Sequence, residues 1–285
     1  MTYAFLVALI LAHTFTSLAY AHEEPPLRRS YPHAQTVTSL AYADDEFPLR
    51  RSYPHVQTIS TEELKAKYQD TIQVDARSTV EYRVIHMEGA ISIPYSSSRF
   101  ISKLTKLRQE NPSKPLVLYC NGHSCSVSYK AVSKALEHGI KNIFSYDSGI
   151  LTWVEANPAQ TVLLDESPAD LSKLISKAQL KNVQRSLPEL RKIAQDNNAL
   201  IIDIREKHQM KASPKLDHIK HIKLNKLLFQ IASKLHHDRT LIFIDATGKQ
   251  LRWVQYYLEQ QGYKSYYFLK GGVNALDKGS ITVNY

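Results

Sequence analysis

The sequence predicts an α/β protein with two parallel sheets, each flanked by helices. Two observations carry this. Buried apolar runs alternate with amphipathic helical stretches at the spacing of β-α-β units. The same order of signals also occurs twice: a strand ending in Asp-x-Arg returns 128 residues on, from Asp75 to Asp203, and a second strand end returns 125 residues on, from Cys120 to Asp245.

A chain of 285 residues has room for two domains, each burying its own core. With 43% hydrophobic and 22% charged residues it reads as globular rather than disordered. The net charge of +9 comes from 36 Lys and Arg dispersed among 27 acids, with no basic block, which argues against nucleic acid as a partner. Such a field instead favours small anions.

In chain order, residues 1–21 read as a signal peptide. The apolar run at 4–12 is too short to cross a bilayer, and Ala19-Tyr20-Ala21 has the small-x-small form of a cleavage site, although only the terminal amine supplies positive charge before it. The expected product is periplasmic or secreted, with no stable membrane anchor after processing. Residues 17–38 and 39–60 are near copies, SLAYAHEEPPLRRSYPHAQTVT against SLAYADDEFPLRRSYPHVQTIS, with 16 identities in 22 positions. Neither copy has helical or strand periodicity, so 22–58 is expected to be a duplicated flexible spacer.

The first domain is expected at 59–158. Ser60-x-x-Glu63 is a capping box before a short helix, and the strand 71–75 follows. At 159–182 a linker helix is expected, because Leu171, Leu174, Ile175 and Ala178 fall at helical spacing after Ser167-Pro168. The second domain, 183–285, repeats the grammar. Ser186-x-x-Glu189 opens a helix, strands are expected at 199–205, 240–245 and 264–269, and Gly271-Gly272-Val273 closes the pattern.

The chemistry centres on Pro115-Leu-Val-Leu-Tyr-Cys120-Asn-Gly-His-Ser-Cys-Ser126, where a buried strand ends and a polar loop leads into a helix. A sulfur at a helix N-terminus is favoured as the thiolate. Before it come Asp75-Ala-Arg77 and His86-Met-Glu-Gly89-Ala90-Ile-Ser-Ile-Pro94; after it comes Gly149-Ile-Leu-Thr-Trp153. In this order the motifs resemble a rhodanese domain, strongly over about residues 59–158, and residues 183–285 look like a second, degenerate copy. The resemblance implies a sulfurtransferase whose catalytic Cys120 cycles through a persulfide, taking sulfur from a small donor and passing it to a thiol or cyanide. No cofactor is implied.

The loop residues Asn121, Gly122, His123, Ser124, Cys125 and Ser126 are expected to surround the sulfur, with backbone N–H groups of 121–126 converging on it. Ser126 stands where cysteine-loop phosphatases carry an arginine, which argues against phosphate chemistry. The loop resembles the Cys-x-Gly-x-x-Cys subgroup, continuing through Ser128, Tyr129 and Lys130. It lacks the basic residue often found at position 125, which weakens the case for thiosulfate. Asp75, Arg77 and His86 are supporting residues expected to fix loops.

Alternatives stay open for the two cysteines. They could form a structural disulfide, or Cys125 could resolve a Cys120 persulfide, releasing sulfide and requiring a thiol reductant. A redox protein using this pair, or a non-enzymatic binding module, are the other readings. Cys120, His123 and Cys125 could hold a soft metal, but three ligands in one short loop leave a tetrahedral site unclosed, so no metal is expected. In the second loop Asp245 replaces the cysteine and cannot carry sulfane sulfur. This carboxylate is expected to be ionised, to stabilise its loop and to repel anionic donors.

Overall fold

The computed structural model of the protein describes residues 47–196, 199–210, 214 and 216–279. The expected signal peptide and the first copy of the duplication lie outside these residues. Two α/β repeats follow, and their sheets are parallel throughout.

The first repeat runs α1 (Thr61–Ala66), β1 (Ile72–Asp75), α2 (Thr79–Val84), β2 (Ile85–Met87), β3 (Ile91–Ser92), α3 (Phe100–Glu110), β4 (Leu116–Tyr119), α4 (Val127–Glu137), β5 (Ile143–Tyr146), α5 (Gly149–Ala156) and β6 (Thr161–Leu163). Its sheet has the order β3-β1-β4-β5, while β2 and β6 form a separate antiparallel ribbon. Capping boxes at Ser60/Glu63 and Ser78/Glu81 fix the starts of α1 and α2. Strand β4 is apolar at every position because both its faces are covered: Leu116 and Leu118 pack with Phe100, Leu104 and Val132, whereas Val117 and Tyr119 join the cluster around Trp153.

The second repeat continues with α6 (Lys177–Val183), β7 (Gln184–Arg185), α7 (Leu187–Asp196), β8 (Leu200–Asp203), β9 (Lys220–His221), α8 (Leu224–Ala232), β10 (Leu241–Ile244), α9 (Leu251–Gln260), β11 (Tyr266–Leu269) and α10 (Val273–Gly279). Its sheet order is β7-β11-β10-β8-β9. The registers match those of the first repeat: Asp75 lies opposite Tyr119, and Asp203 opposite Ile244. Cys120 and Asp245 are therefore equivalent, each one residue beyond its central strand. The next strand makes the same correspondence, since Ile150 N–H donates to the Cys120 carbonyl and Val273 N–H to that of Asp245, each at 2.9 Å.

Two expectations about connecting segments are corrected. The linker is not one helix: 161–163 forms β6, a 3-10 turn covers Leu171–Lys173, and α6 begins only after the Ser176/Gln179 capping box. Ile175 is pulled out of helical register because its N–H donates to the Tyr256 hydroxyl at 3.0 Å and its side chain is buried. The second correction concerns the flexible spacer, whose described part, 47–58, is a docked strap. Val56 is buried, Leu49 and Tyr53 pack on the first core, and Thr58 bridges Ser145 in parallel. Thr58 thus occupies the edge of β5 as β7 occupies the edge of β11. The lack of periodicity predicts a loop here, but an edge strand needs backbone pairing more than periodicity.

The repeats share a core. One cluster contains Val84, Ile85 and Trp153 from the first repeat together with Leu227, Trp253 and Tyr256 from the second. Helix α9 packs on α2, bringing the loop after β10 towards the loop after β4.

Candidate active site

The strand end at β1 builds the floor of the site. Arg77 Nε and Nη2 donate to Asp75 at 3.0 and 2.6 Å, Nη2 also reaches the Ile85 carbonyl, and Nη1 donates to Asn121 Oδ1 at 3.0 Å. Asn121 Nδ2 in turn donates to Glu81 at 2.7 Å. The chain Asp75–Arg77–Asn121–Glu81 holds the first residue of the cysteine loop. Burial alone would lower the Arg77 pKa, but Asp75 beside it raises it, so the guanidinium stays charged. The same Asp-Arg fork recurs at Asp203–Arg205. His86 stands apart from the sulfur: its Nδ1 is 2.7 Å from the Tyr82 carbonyl, its ring stacks on Tyr82, and burial lowers its pKa.

Cys120 is fully buried and paired with Cys125 as a disulfide, with Cα atoms 6.4 Å apart. Its Sγ lies 3.2 Å from the Cys125 carbonyl oxygen and 3.6 Å from the Ser128 hydroxyl. The expected cradle of amides from 121–126 is corrected in part: Cys125 N–H donates to the Gly122 carbonyl at 2.8 Å, and the Cys125 carbonyl faces the sulfur instead. This turn lies within the loop the disulfide closes, and a carbonyl dipole opposes a thiolate. The side chain that can donate to a reduced Cys120 is Ser128, wholly buried in the first turn of α4. Ser126 provides no side-chain cap to that helix.

Behind the loop, Gly149 has φ +73° and lies so close to Asn121 and Gly122 that a Cβ would overlap their backbone; Gly272 bears the same relation to 246–248. Next to it Asp147, almost completely buried, accepts from the Tyr129 hydroxyl and from Arg50 Nε and Nη2 at 2.9 and 3.2 Å. The strap covers the loop as well, with the Phe47 ring 4.5 Å from that of His123. His123 is therefore occupied in stacking.

Asn121, Ser124, Cys125 and Ser126 open onto a cavity of about 600 Å³ whose other wall is the second repeat, through Gly248, Lys249, Gln250, Arg252 and Trp253. Cys120 does not line it. In the second loop, Asp245 accepts from Gly248 N–H at 2.5 Å and Gln250 N–H at 3.0 Å, as its position at a helix start suggests. The loop contacts are those expected, while burial outweighs these donors and pushes the Asp245 pKa above the ordinary carboxylate value.

Sequence reasoning did not single out Arg50, Asp147, Lys249, Arg252 or Trp253. Asp147 had a local signal, a carboxylate at a strand end beside Gly149. The residues of the second repeat had none, because only the docking of the two repeats brings them to the cysteine loop.

Two parallel α/β repeats with matched registers, one carrying a cysteine and one an aspartate at the central strand end, define a tandem rhodanese-type fold. The model of the rhodanese-like domain family matches residues 60–156 and 186–278, and the chain belongs to that family. Among curated proteins it is similar to the tRNA uridine(34) hydroxylases of Photorhabdus laumondii, 35% identical over 86 residues, covering 30% of this chain and 24% of that one, and of Pectobacterium carotovorum, 33% identical over 93 residues, covering 32% and 25%. The chain thus spans about a quarter of the length of these relatives. Among solved structures it is similar to a thiosulfate sulfurtransferase from Pseudomonas aeruginosa, 19% identical, covering 84% of this chain and 47% of that one, with a TM-score of 0.33. It is also similar to a 3-mercaptopyruvate sulfotransferase from Escherichia coli, 13% identical, covering 76% and 98%, with a TM-score of 0.30.

Proposed function

We propose that the protein is a sulfurtransferase that carries sulfane sulfur on Cys120. The observation that carries this reading is the position of Cys120: it follows the central strand β4 directly, with the first turn of α4 and the Ser128 hydroxyl beside its sulfur. With the disulfide reduced, the Cys120 thiolate attacks the outer sulfur of a persulfide R–S–SH, giving Cys120–S–SH and releasing RS⁻. An acceptor thiolate or cyanide then takes that sulfur and returns the Cys120 thiolate. Asp245 cannot carry sulfur, so the second repeat supplies no nucleophile. The tRNA chemistry of the curated relatives is not carried over, since the shared length is small and the positive charge of this chain is dispersed. The apolar run at 4–12 and Ala19-Tyr20-Ala21 support action in an exported, oxidising compartment, which cell fractionation tests.

A second reading, a thiol redox protein, is favoured by the pairing of Cys120 with Cys125. Intact mass spectrometry of the reduced protein after treatment with a persulfide separates the two. One added sulfur, mapped to Cys120, is expected; loss of two hydrogens alone would establish the redox reading. Cys120→Ser is expected to abolish sulfur uptake, whereas Cys125→Ser should retain at least one turnover. Equal loss in both variants, with folding intact, would refute a single nucleophile.

A further inference from the structure

The loop after β4 has no cation of its own, yet the cavity at its mouth is positively charged. Its walls contain three cationic side chains, Arg77, Lys249 and Arg252, and one carboxylate, Glu81. Arg77 is committed to Asp75, and Glu81 is held by Asn121 and by the Ser78 backbone and hydroxyl. Among the described residues no carboxylate pairs with Lys249 or Arg252. Arg252 donates from Nη2 to the Ile175 carbonyl at 3.1 Å, and its buried Nε has no partner. Lys249 is exposed and free to turn towards a ligand. Both residues follow closely the position where Asp245 stands in place of the cysteine. The worn loop of the second repeat has lost its nucleophile and gained a place opposite the living one.

We propose that Lys249, supported by Arg252, is the specificity determinant of the cysteine site, binding the carboxylate of a low-molecular-weight thiol or its persulfide while the sulfur end meets the Cys120–Cys125 loop. The proposal deepens the sulfurtransferase reading and rests on it for the sulfur chemistry, but not for the binding. Three features select this class. The cavity of about 600 Å³ is in the range of organic ligands and far larger than thiosulfate or cyanide needs. Its lining carries the apolar surfaces of Tyr95, Val127, Leu180 and Trp253, which suit an organic body rather than a bare inorganic anion. Its uncompensated cations lie on the wall facing Cys125, so a ligand with carboxylate and sulfur at opposite ends spans the two. The missing loop cation is thereby supplied from the other repeat.

The test uses the full chain in its reduced form and two kinds of probe. S-methylglutathione, which carries carboxylates but cannot transfer sulfur, reports binding alone. The chain has two tryptophans; Trp153 is sealed in the core and Trp253 lines the cavity, so intrinsic fluorescence follows occupancy. Saturable quenching or enhancement is expected in the wild type. Lys249→Gln should raise Kd about three- to tenfold, the range for one charge-assisted contact at a partly exposed site, and Lys249→Arg should restore it. Added salt should weaken binding in the wild type more than in Lys249→Gln. Kinetics form the second arm: the ratio of KM for glutathione persulfide to KM for the uncharged persulfide of 2-mercaptoethanol should rise by a similar factor in Lys249→Gln. Absence of saturable binding, or equal Kd in wild type and Lys249→Gln, overturns the proposal. Binding that depends on Lys249 in a protein that takes up no sulfur from either persulfide would instead overturn the sulfurtransferase reading and leave the subsite standing.

Discussion

Two single residues, Ser128 and Asp245, carry testable consequences. Ser128 is the side-chain donor beside Cys120, and a hydroxyl donating to a thiolate contributes roughly 1–2 kcal/mol. Ser128→Ala is expected to slow single-turnover sulfur uptake by the reduced protein about five- to thirtyfold in stopped-flow measurements; an unchanged rate would remove Ser128 from the site. At Asp245 the issue is protonation. Its pKa is raised in the folded chain, chiefly by burial, so folding binds this proton more tightly than the unfolded chain does. The contribution is fully present below the ordinary carboxylate value, near 3.8, and is lost as pH rises through the raised one. As pH rises from about 4, the wild type should therefore lose stability relative to Asp245→Asn, measured by urea midpoints; parallel profiles would contradict the burial argument. Cys120, Asp75 and Arg77 were legible in the sequence because strand ends and loop spacing are local. The conformation of the loop was not: a carbonyl, rather than an amide, faces the sulfur because the disulfide turn takes up the Cys125 N–H.

At the scale of elements, the strap 47–58 shows what a duplicated sequence can acquire. The docked copy has Phe47, Val56 and Ile59 where the upstream copy has Pro25, Ala34 and Val37, so it carries bulkier apolar side chains, of which Val56 and Ile59 are buried and Phe47 lies against His123. Arg50 supplies the charge that Asp147 needs. Without it, a carboxylate that is 1% exposed would keep only the Tyr129 hydroxyl. Arg50→Ala is expected to destabilise the protein by about 1–3 kcal/mol, less than a fully buried pair because the guanidinium is partly solvated. Denaturant unfolding checks this, and a loss below about 0.5 kcal/mol would mark the strap as a loose surface contact. Periodicity missed this segment for a physical reason. Its order comes from one parallel bridge, one ion pair and the Tyr53–Tyr129 stack, all made with residues some 75 to 100 positions downstream.

For the molecule as a whole, the repeat in the sequence was legible as two domains, but their mutual burial was not, because no local pattern announces which faces of two similar units will meet. The Arg77 guanidinium lies 5.5 Å from the centre of the Trp253 ring, Tyr256 accepts from Ile175 N–H, and Tyr256 and Trp253 are buried in the cluster that includes Val84 and Trp153. A first repeat cut free at residue 158 would expose that apolar face, and one that began at 59 would also lose the Thr58 edge and the Arg50 clamp on Asp147. Residues 47–176 form a first-repeat fragment that keeps the strap and the β2–β6 ribbon. Expressed alone, this fragment should retain sulfur uptake on Cys120, since its nucleophile, Ser128 and the Asp75–Arg77–Asn121 chain are all internal. It should melt well below the full chain, because removing even one large aromatic side chain from a packed core costs about 3–5 kcal/mol. It should also bind carboxylate-bearing ligands more weakly, since Lys249 belongs to the second repeat. Residues 183–285 alone should transfer no sulfur, because Asp245 offers no thiolate. Thermal melting and single-turnover assays of each fragment beside the full chain decide the matter. Transfer by the second repeat would overturn this division of labour. So would a first-repeat fragment that matched the full chain in melting temperature, since the shared cluster would then contribute nothing.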